Sequence, residues 1–159
     1  MNWSIRESTE NAFVTYLQQQ LPAGTDAAVY PGYSDAKIQF PCVVFHVAEC
    51  EPISENAQWH DARMLQVDCM IATEITPIME QDGSTIKSPR DRHSELFSLV
   101  MNALARIDLL TQLIAVNTPA VAFSMAQISS IPSRSVESEQ RKVYSIISMD
   151  VIAEPVEGT

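Results

Sequence analysis

Apolar residues recur along this chain with two periods, and the changes of period mark its elements. From Ser4 to about Leu21 they fall at Ile5, Ala12, Phe13, Tyr16, Leu17 and Leu21, which is one face of a helix. Arg6, Glu10, Gln18 and Gln19 fall on the other, polar face. Ser4 and Glu7 have the spacing of a capping box, and Pro22 to Gly24 stops the run. A short strand at Ala27 to Tyr30 and a Pro31–Gly32 turn come next. Two long strand-like runs then dominate the chain: Phe40 to Cys50, and Ala62 to Thr73, joined by a polar, acidic connection. At about 3.3 Å per residue the first could reach roughly 36 Å.

In the first run Cys42, Val44, His46 and Ala48 point one way, and Val43, Phe45 and Val47 the other. In the second, Leu65, Val67, Cys69 and Ile71 share a face, opposite the more polar Met64, Gln66, Asp68 and Met70. Such half-polar alternation predicts an antiparallel sheet with one covered face. Glu74 to Lys87 reads as a loop or small hairpin turning at Asp82–Gly83. Ser88 as N-cap, Pro89 at the first helical position and Asp91 start a second helix. Its stripe is Leu96, Phe97, Val100, Met101 and Leu104. Asp108 caps a short helix from Leu109 to Val116, ended by Asn117 and Pro119. Two strands, Ala120 to Ile131 and Lys142 to Ala153, close the chain as a hairpin across a polar connection. Glu154 to Thr159 reads as a flexible tail.

The order of elements predicts a single α+β domain over residues 1–159. It has two layers: a mostly antiparallel sheet with long hairpin strands, and an N-terminal and a central helix packed on one face. With 159 residues and 46% hydrophobic content the chain can bury a sizeable core. The net charge of −10 argues against a general nucleic-acid-binding surface, which needs clustered Lys and Arg. Cys42, Cys50 and Cys69 are odd in number and irregular in spacing, a poor disulfide framework that fits a reducing compartment. The first ten residues lack the apolar core and cleavage site of a signal peptide, and no apolar run reaches membrane-spanning length.

Candidate chemistry is sparse. His46, His60 and His93 have no metal-ligand spacing with one another or with a cysteine. Cys42 and His46 share a strand face but lie about 13 Å apart by strand rise, too far to share a metal. His60 and Asp61 are adjacent, so their side chains diverge if the segment is extended. Ser84 to Lys87 matches the Ser-x-x-Lys string of penicillin-recognising enzymes without its companion strings, and ahead of a helix rather than on one. No glycine-rich phosphate loop is present. The sequence therefore predicts no catalytic residue, no cofactor and no metal site, and a protein that is not an enzyme.

Charge distribution is more informative. From Glu49 to Asp82 there are eight carboxylates (Glu49, Glu51, Glu55, Asp61, Asp68, Glu74, Glu80 and Asp82), opposed only by Arg63. This is either a solvated face or a repulsive field past which a polyanion slides without adhering. Basic residues collect at Lys87, Arg90 and Arg92 and again at Arg134, Arg141 and Lys142. Separated patches of opposite sign suit head-to-tail contacts between copies, and equally an ordinary scatter of charge. Trp59, in the acidic connection, is either a lid on the core or an interface anchor. The candidate oligomer or partner interface is Trp59, Glu74, Asp82, Lys87, Arg90 and Arg92. The candidate acidic lumen or rim is Glu49, Glu51, Glu55 and Asp61.

The layout resembles the tail terminator, or tail completion, proteins of long-tailed bacteriophages. The residues that carry the likeness are "FPCVVF" at Phe40 to Phe45 after the "YPGYSD" turn, and "RMLQVDCMIAT" at Arg63 to Thr73. With them go the amphipathic helix from Ser88 and the closing strand led by basic residues, "RKVYSIISMDVIA". The resemblance implies a virion protein made in the host cytoplasm, a homohexameric ring on the end of the tail tube. The ring would stop tube polymerisation and meet the neck connector, with sheath or tail-end proteins as further partners. DNA would pass through the lumen without specific binding, and no membrane is involved. Two alternatives remain. One is another neck or head-completion component. The other is a small cytoplasmic ligand-binding or enzymatic domain with a site assembled from His46, Asp68 and His93.

Overall fold

The computed structural model describes residues 2–32, 37–53, 62–74, 78–79, 85–87, 89–116, 121–130, 134–137 and 142–156. Helix α1 (Asn2–Gln20) opens two residues before Ser4, so the Ser4–Glu7 spacing does not mark its start. The apolar stripe falls as expected: Ile5, Ala12, Phe13, Tyr16 and Leu17 are buried. Pro22, which cannot continue the hydrogen-bond ladder, and Gly24, at φ +85°, end the helix.

Strand β1 (Ala28–Pro31) lies parallel to β2 (Cys42–Pro52). Strand β2 pairs antiparallel with β3 (Arg63–Glu74). The register shifts between Val47 and Glu49, so Ala48 is a bulge. Simple alternation would have put Cys50 with Val44 and His46. The bulge reverses the phase, so Cys50 lies against the core while Glu49 and Glu51 point away from it. On β3 the expected alternation holds from Leu65 to Ile71, with the odd-numbered positions buried.

Beyond β3, β4 (Ile78–Met79) and β5 (Thr85–Lys87) form a separate two-stranded antiparallel sheet, the small hairpin read from the sequence. Its Asp82–Gly83 turn lies outside the described residues. Helix α2 (Pro89–Leu104) carries Asp91 in its first turn and buries Leu96, Val100, Ala103 and Leu104. Helix α3 (Leu109–Val116) buries Leu109 and Leu113. The Asp108 carbonyl accepts its first intrahelical bond, from the Gln112 N–H at 3.0 Å. Arg106 chelates the Asp108 carboxylate through Nε at 2.8 Å and Nη2 at 2.9 Å, which holds that carboxyl below its ordinary pKa.

The last strands depart from a simple hairpin. Strand β6 (Val121–Ser130) pairs with the C-terminal half of β8 (Lys142–Pro155). The polar connection contributes a further strand, β7 (Arg134–Glu137), which pairs with the N-terminal part of β8. Since β3 takes the other side of β8 throughout, β7 prolongs the line of β6. The free edge of β8 recruits a segment whose own composition does not read as a strand. Glu154 and Pro155, read as the start of a tail, are instead paired with Ala122 and Val121.

The result is the expected α+β architecture: a mixed sheet in the order β1-β2-β3-β8-β6, antiparallel except for β1–β2, with three helices. Val43, Phe45, Leu65, Val67, Ile147, Met149 and Val151 are among the strand residues of the core. Helix α1 packs over β1 and β2, α2 over β3 and α3 over β6. Phe13 on α1 meets Phe45 on β2 with ring centroids 5.3 Å apart, and the Tyr16 hydroxyl donates to the Ala103 carbonyl of α2. No single described helix is long and apolar enough to cross a membrane.

Candidate functional site

The β2–β3 arm is held where its neighbour stops. Beyond Pro31, β1 no longer covers the edge of β2, and α1 supplies the missing bonds from side chains. Glu10 Oε1 accepts the Val47 N–H at 3.0 Å, and Arg6 Nη1 donates to the Val47 carbonyl at 3.0 Å. Glu10, expected on a polar face, is therefore buried, because its carboxylate is used on the peptide next to the bulge. Gly32, whose N–H donates to the Phe45 carbonyl at 2.7 Å, fits against this cluster. A Cβ there would lie 2.8 Å from His46 Nδ1 and 3.1 Å from Glu10 Oε1. His46 Nδ1 lies 3.6 Å from Glu10 Oε1, with 60% of the His46 side chain exposed.

Glu49 and Glu51, two of the candidate rim residues, are exposed on the far part of this arm. Glu55 and Asp61, and the candidate anchor Trp59, lie outside the described residues, as does Asp82. Among the remaining interface candidates, Glu74 accepts from Lys142 Nζ at 3.3 Å at the opposite end of the strands. That ammonium also stands 4.0 Å above the Phe40 ring. Lys87 closes β5. Arg90 is exposed, and Arg92 Nη2 reaches the exposed Asp26 carboxylate at 3.5 Å.

Arg92 and Asp26 border an open cavity of about 410 Å³, together with Pro41, Thr73, Glu95, Leu96 and Leu99. Behind its wall lies a buried polar array that strand and helix periods, read together, would have found. Thr73 and Ser145 occupy inward positions of β3 and β8, and His93 lies on the buried stripe of α2 with Leu96 and Val100. Thr73 Oγ1 is 2.9 Å from His93 Nδ1, and Ser145 Oγ is 2.8 Å from His93 Nε2. A neutral imidazole donates from one nitrogen and accepts at the other, so two hydroxyls satisfy it. The array ties α2 to both central strands.

His46, Asp68 and His93 do not converge. His46 and Asp68 are cross-strand partners on the side of the sheet away from the helices, while His93 lies beneath the helices. The Asp68 carboxylate accepts from Ser148 Oγ at 2.9 Å and Gln66 Nε2 at 3.2 Å. Burial raises the pKa of all three thiols, Cys42 to about 11 and Cys69 further still, so none is a poised thiolate. Among the described residues no group of three His, Cys, Asp or Glu side chains could hold a metal ion. No family model and no curated protein matches the chain.

Proposed function

We propose that the chain is a structural virion protein, a tail terminator or neck component of a long-tailed bacteriophage. It works as a homohexameric ring that caps the tail tube, joins it to the neck connector and lets DNA pass through the lumen. The observation that carries this reading is the β2–β3 arm. Its paired strands of 11 and 12 residues outrun the four-residue β1 beside them. The outer part of β2 carries the exposed Glu49 and Glu51. An N-terminal helix, a sheet with a long hairpin and a helix laid across it make up the layout of such proteins. A chain with net charge −10 offers DNA little to adhere to. Native mass spectrometry and electron microscopy of the purified chain test the proposal, with a six-membered ring expected. A stable monomer that joins no tail or tail-like particle overturns it.

A further inference from the structure

The charges of this chain avoid one part of it. Of its 20 carboxylates and 10 Lys or Arg residues, none falls from Asn11 to Thr25. From Leu96 to Ser133 the only two are Arg106 and Asp108, and these chelate each other. The fold brings the two stretches together. The Tyr16 hydroxyl donates to the Ala103 carbonyl, Arg106 Nη1 donates to Gln20 Oε1, and α3 packs on α1 and β6. One corner of an acidic protein is thus without net charge. Depletion of charged side chains, more than apolarity, marks the centre of a protein–protein contact.

Helix α3 presents this corner to solvent. On its inward side Leu109 and Leu113 are buried and Val116 packs against the core. Ile107, Thr111, Ile114 and Ala115 recur at helical spacing on the opposite side, and all four are exposed. Ile107, in the turn ahead of the helix, is fully exposed, and Ile114 is 52% exposed. In a hydrophobic staple the residue before the N-cap packs on the fourth helical residue. Here that residue is Gln112, whose Nε2 donates to the Asp108 carboxylate at 3.3 Å, so Ile107 is left outside.

Charge and shape together say what covers this face. A chain of net charge −10 repels its own copies over most of its surface, and this corner is where that repulsion is absent. A strongly charged partner finds nothing here to pair with. The side chains alternate in size along the face: Ile107, Thr111, Ile114, Ala115. Laid antiparallel on its counterpart and centred on Thr111, the face sets Ile107 of one copy over Ala115 of the other. Thr111 then meets Thr111. Large side chains oppose small ones, and the face is complementary to itself.

We infer that the outward face of α3 is a two-fold contact with a second copy of this chain. Ile107 and Ile114 form its apolar centre. Two helical turns bury less than the roughly 800 Å² per partner of a standard interface, so the pair is reversible and concentration-dependent. The contact does not rest on the ring, since it joins two chains or two rings alike.

The test is cross-linking of the full chain by a short bismaleimide. Thr111→Cys places a thiol beside the axis. Glu51→Cys places one on the exposed outer part of β2, and the unsubstituted chain measures the background from its own cysteines. Thr111→Cys is expected to give covalent pairs roughly tenfold above both controls, a difference of about 1.4 kcal/mol in pairing. Added salt does not weaken them, because no charge is matched across the contact. Ile107→Glu with Ile114→Glu, in the Thr111→Cys chain, sets carboxylates against each other across the axis. It abolishes the pairs while circular dichroism keeps the parent helix content. The inference fails if Thr111→Cys cross-links no better than the controls, if salt breaks the pairs, or if the folded double variant still pairs. A six-membered ring whose Thr111→Cys form does not cross-link sinks this contact and leaves the ring; cross-linked pairs without a ring do the reverse.

Discussion

Glu10 and Val47 are joined by a buried hydrogen bond in which a helix carboxylate takes the N–H of a strand residue beside a bulge, at 3.0 Å. Arg6, one turn earlier on the helix, takes the carbonyl of the same residue. Both backbone polar groups of one edge residue, Val47, are thus satisfied by side chains of the helix, and the long arm keeps its direction beyond the end of β1. Glu10→Ala should cost about 1–3 kcal/mol, because it leaves a buried N–H unmade. Glu10→Gln should recover most of that, since an amide oxygen still accepts. Urea denaturation of the two variants decides the matter; equal loss in both would mean that the bond contributes nothing.

The His93 array is a second point of leverage. Thr73→Val or Ser145→Ala removes a hydroxyl from one nitrogen of a buried imidazole and should cost about 1–3 kcal/mol each. Because both act on one ring, the double variant should depart from the sum of the singles. Replacing all three members by apolar residues (Thr73→Val, His93→Leu and Ser145→Ala) should be less damaging than His93→Leu alone, which strands two buried hydroxyls. Thermal or urea unfolding of the set measures this. A triple variant that adds up from its singles would show three independent residues instead of one array.

How far the sequence reached depends on what each residue's neighbours are. Strand alternation located the core positions of β3 and the helical period those of α1 and α2, because burial on one face leaves a periodic mark. The bulge at Ala48 leaves no such mark: it is one extra residue, imposed by pairing with β3. Without it Cys50 and Glu51 exchange faces. Glu10 misled for a related reason, since nothing local to the helix shows that a strand N–H 37 residues away needs a partner. Strand β7 likewise exists because β8 offers an open edge. The Thr73–His93–Ser145 array was legible, but only by combining a strand position, a helix position and a second strand position.

Alkaline stability follows from the thiols. Burial raises the Cys42 pKa from its ordinary value to about 11, and that of Cys69 further. Both groups are neutral when protonated. As pH climbs through the range where an exposed thiol ionises, the unfolded chain sheds these protons and the folded chain keeps them. Fewer protons on the unfolded state means that stability falls as pH rises. The loss should begin near pH 9 and continue through about 11, at up to about 1.4 kcal/mol per pH unit for each such thiol. Replacing Cys69 with Ala should flatten the slope measured in urea between these limits, even if it lowers stability at neutral pH. An unchanged slope would place the alkaline loss elsewhere, for instance in Tyr16, whose pKa burial also raises.

The acid-rich arm bears most directly on the proposed function. Glu49 and Glu51 are exposed, and the bulge at Ala48 turns both away from the core, so changing their sign leaves packing untouched. If the arm rims the lumen of a ring, positive charges there would bind the phosphate backbone instead of repelling it. The cost would fall on DNA movement and not on assembly. Reversing Glu49 and Glu51 to Lys, together with Glu55 and Asp61 in the adjoining connection, should therefore leave ring mass and tail attachment unchanged. It should slow DNA ejection from assembled particles and weaken infectivity, with the defect relieved as salt rises and screens the new attraction. Ejection kinetics of variant particles at two ionic strengths give the answer. Normal infectivity in fully assembled particles would remove the arm from the DNA path. Failure to form the ring at all would assign these carboxylates to contacts between copies.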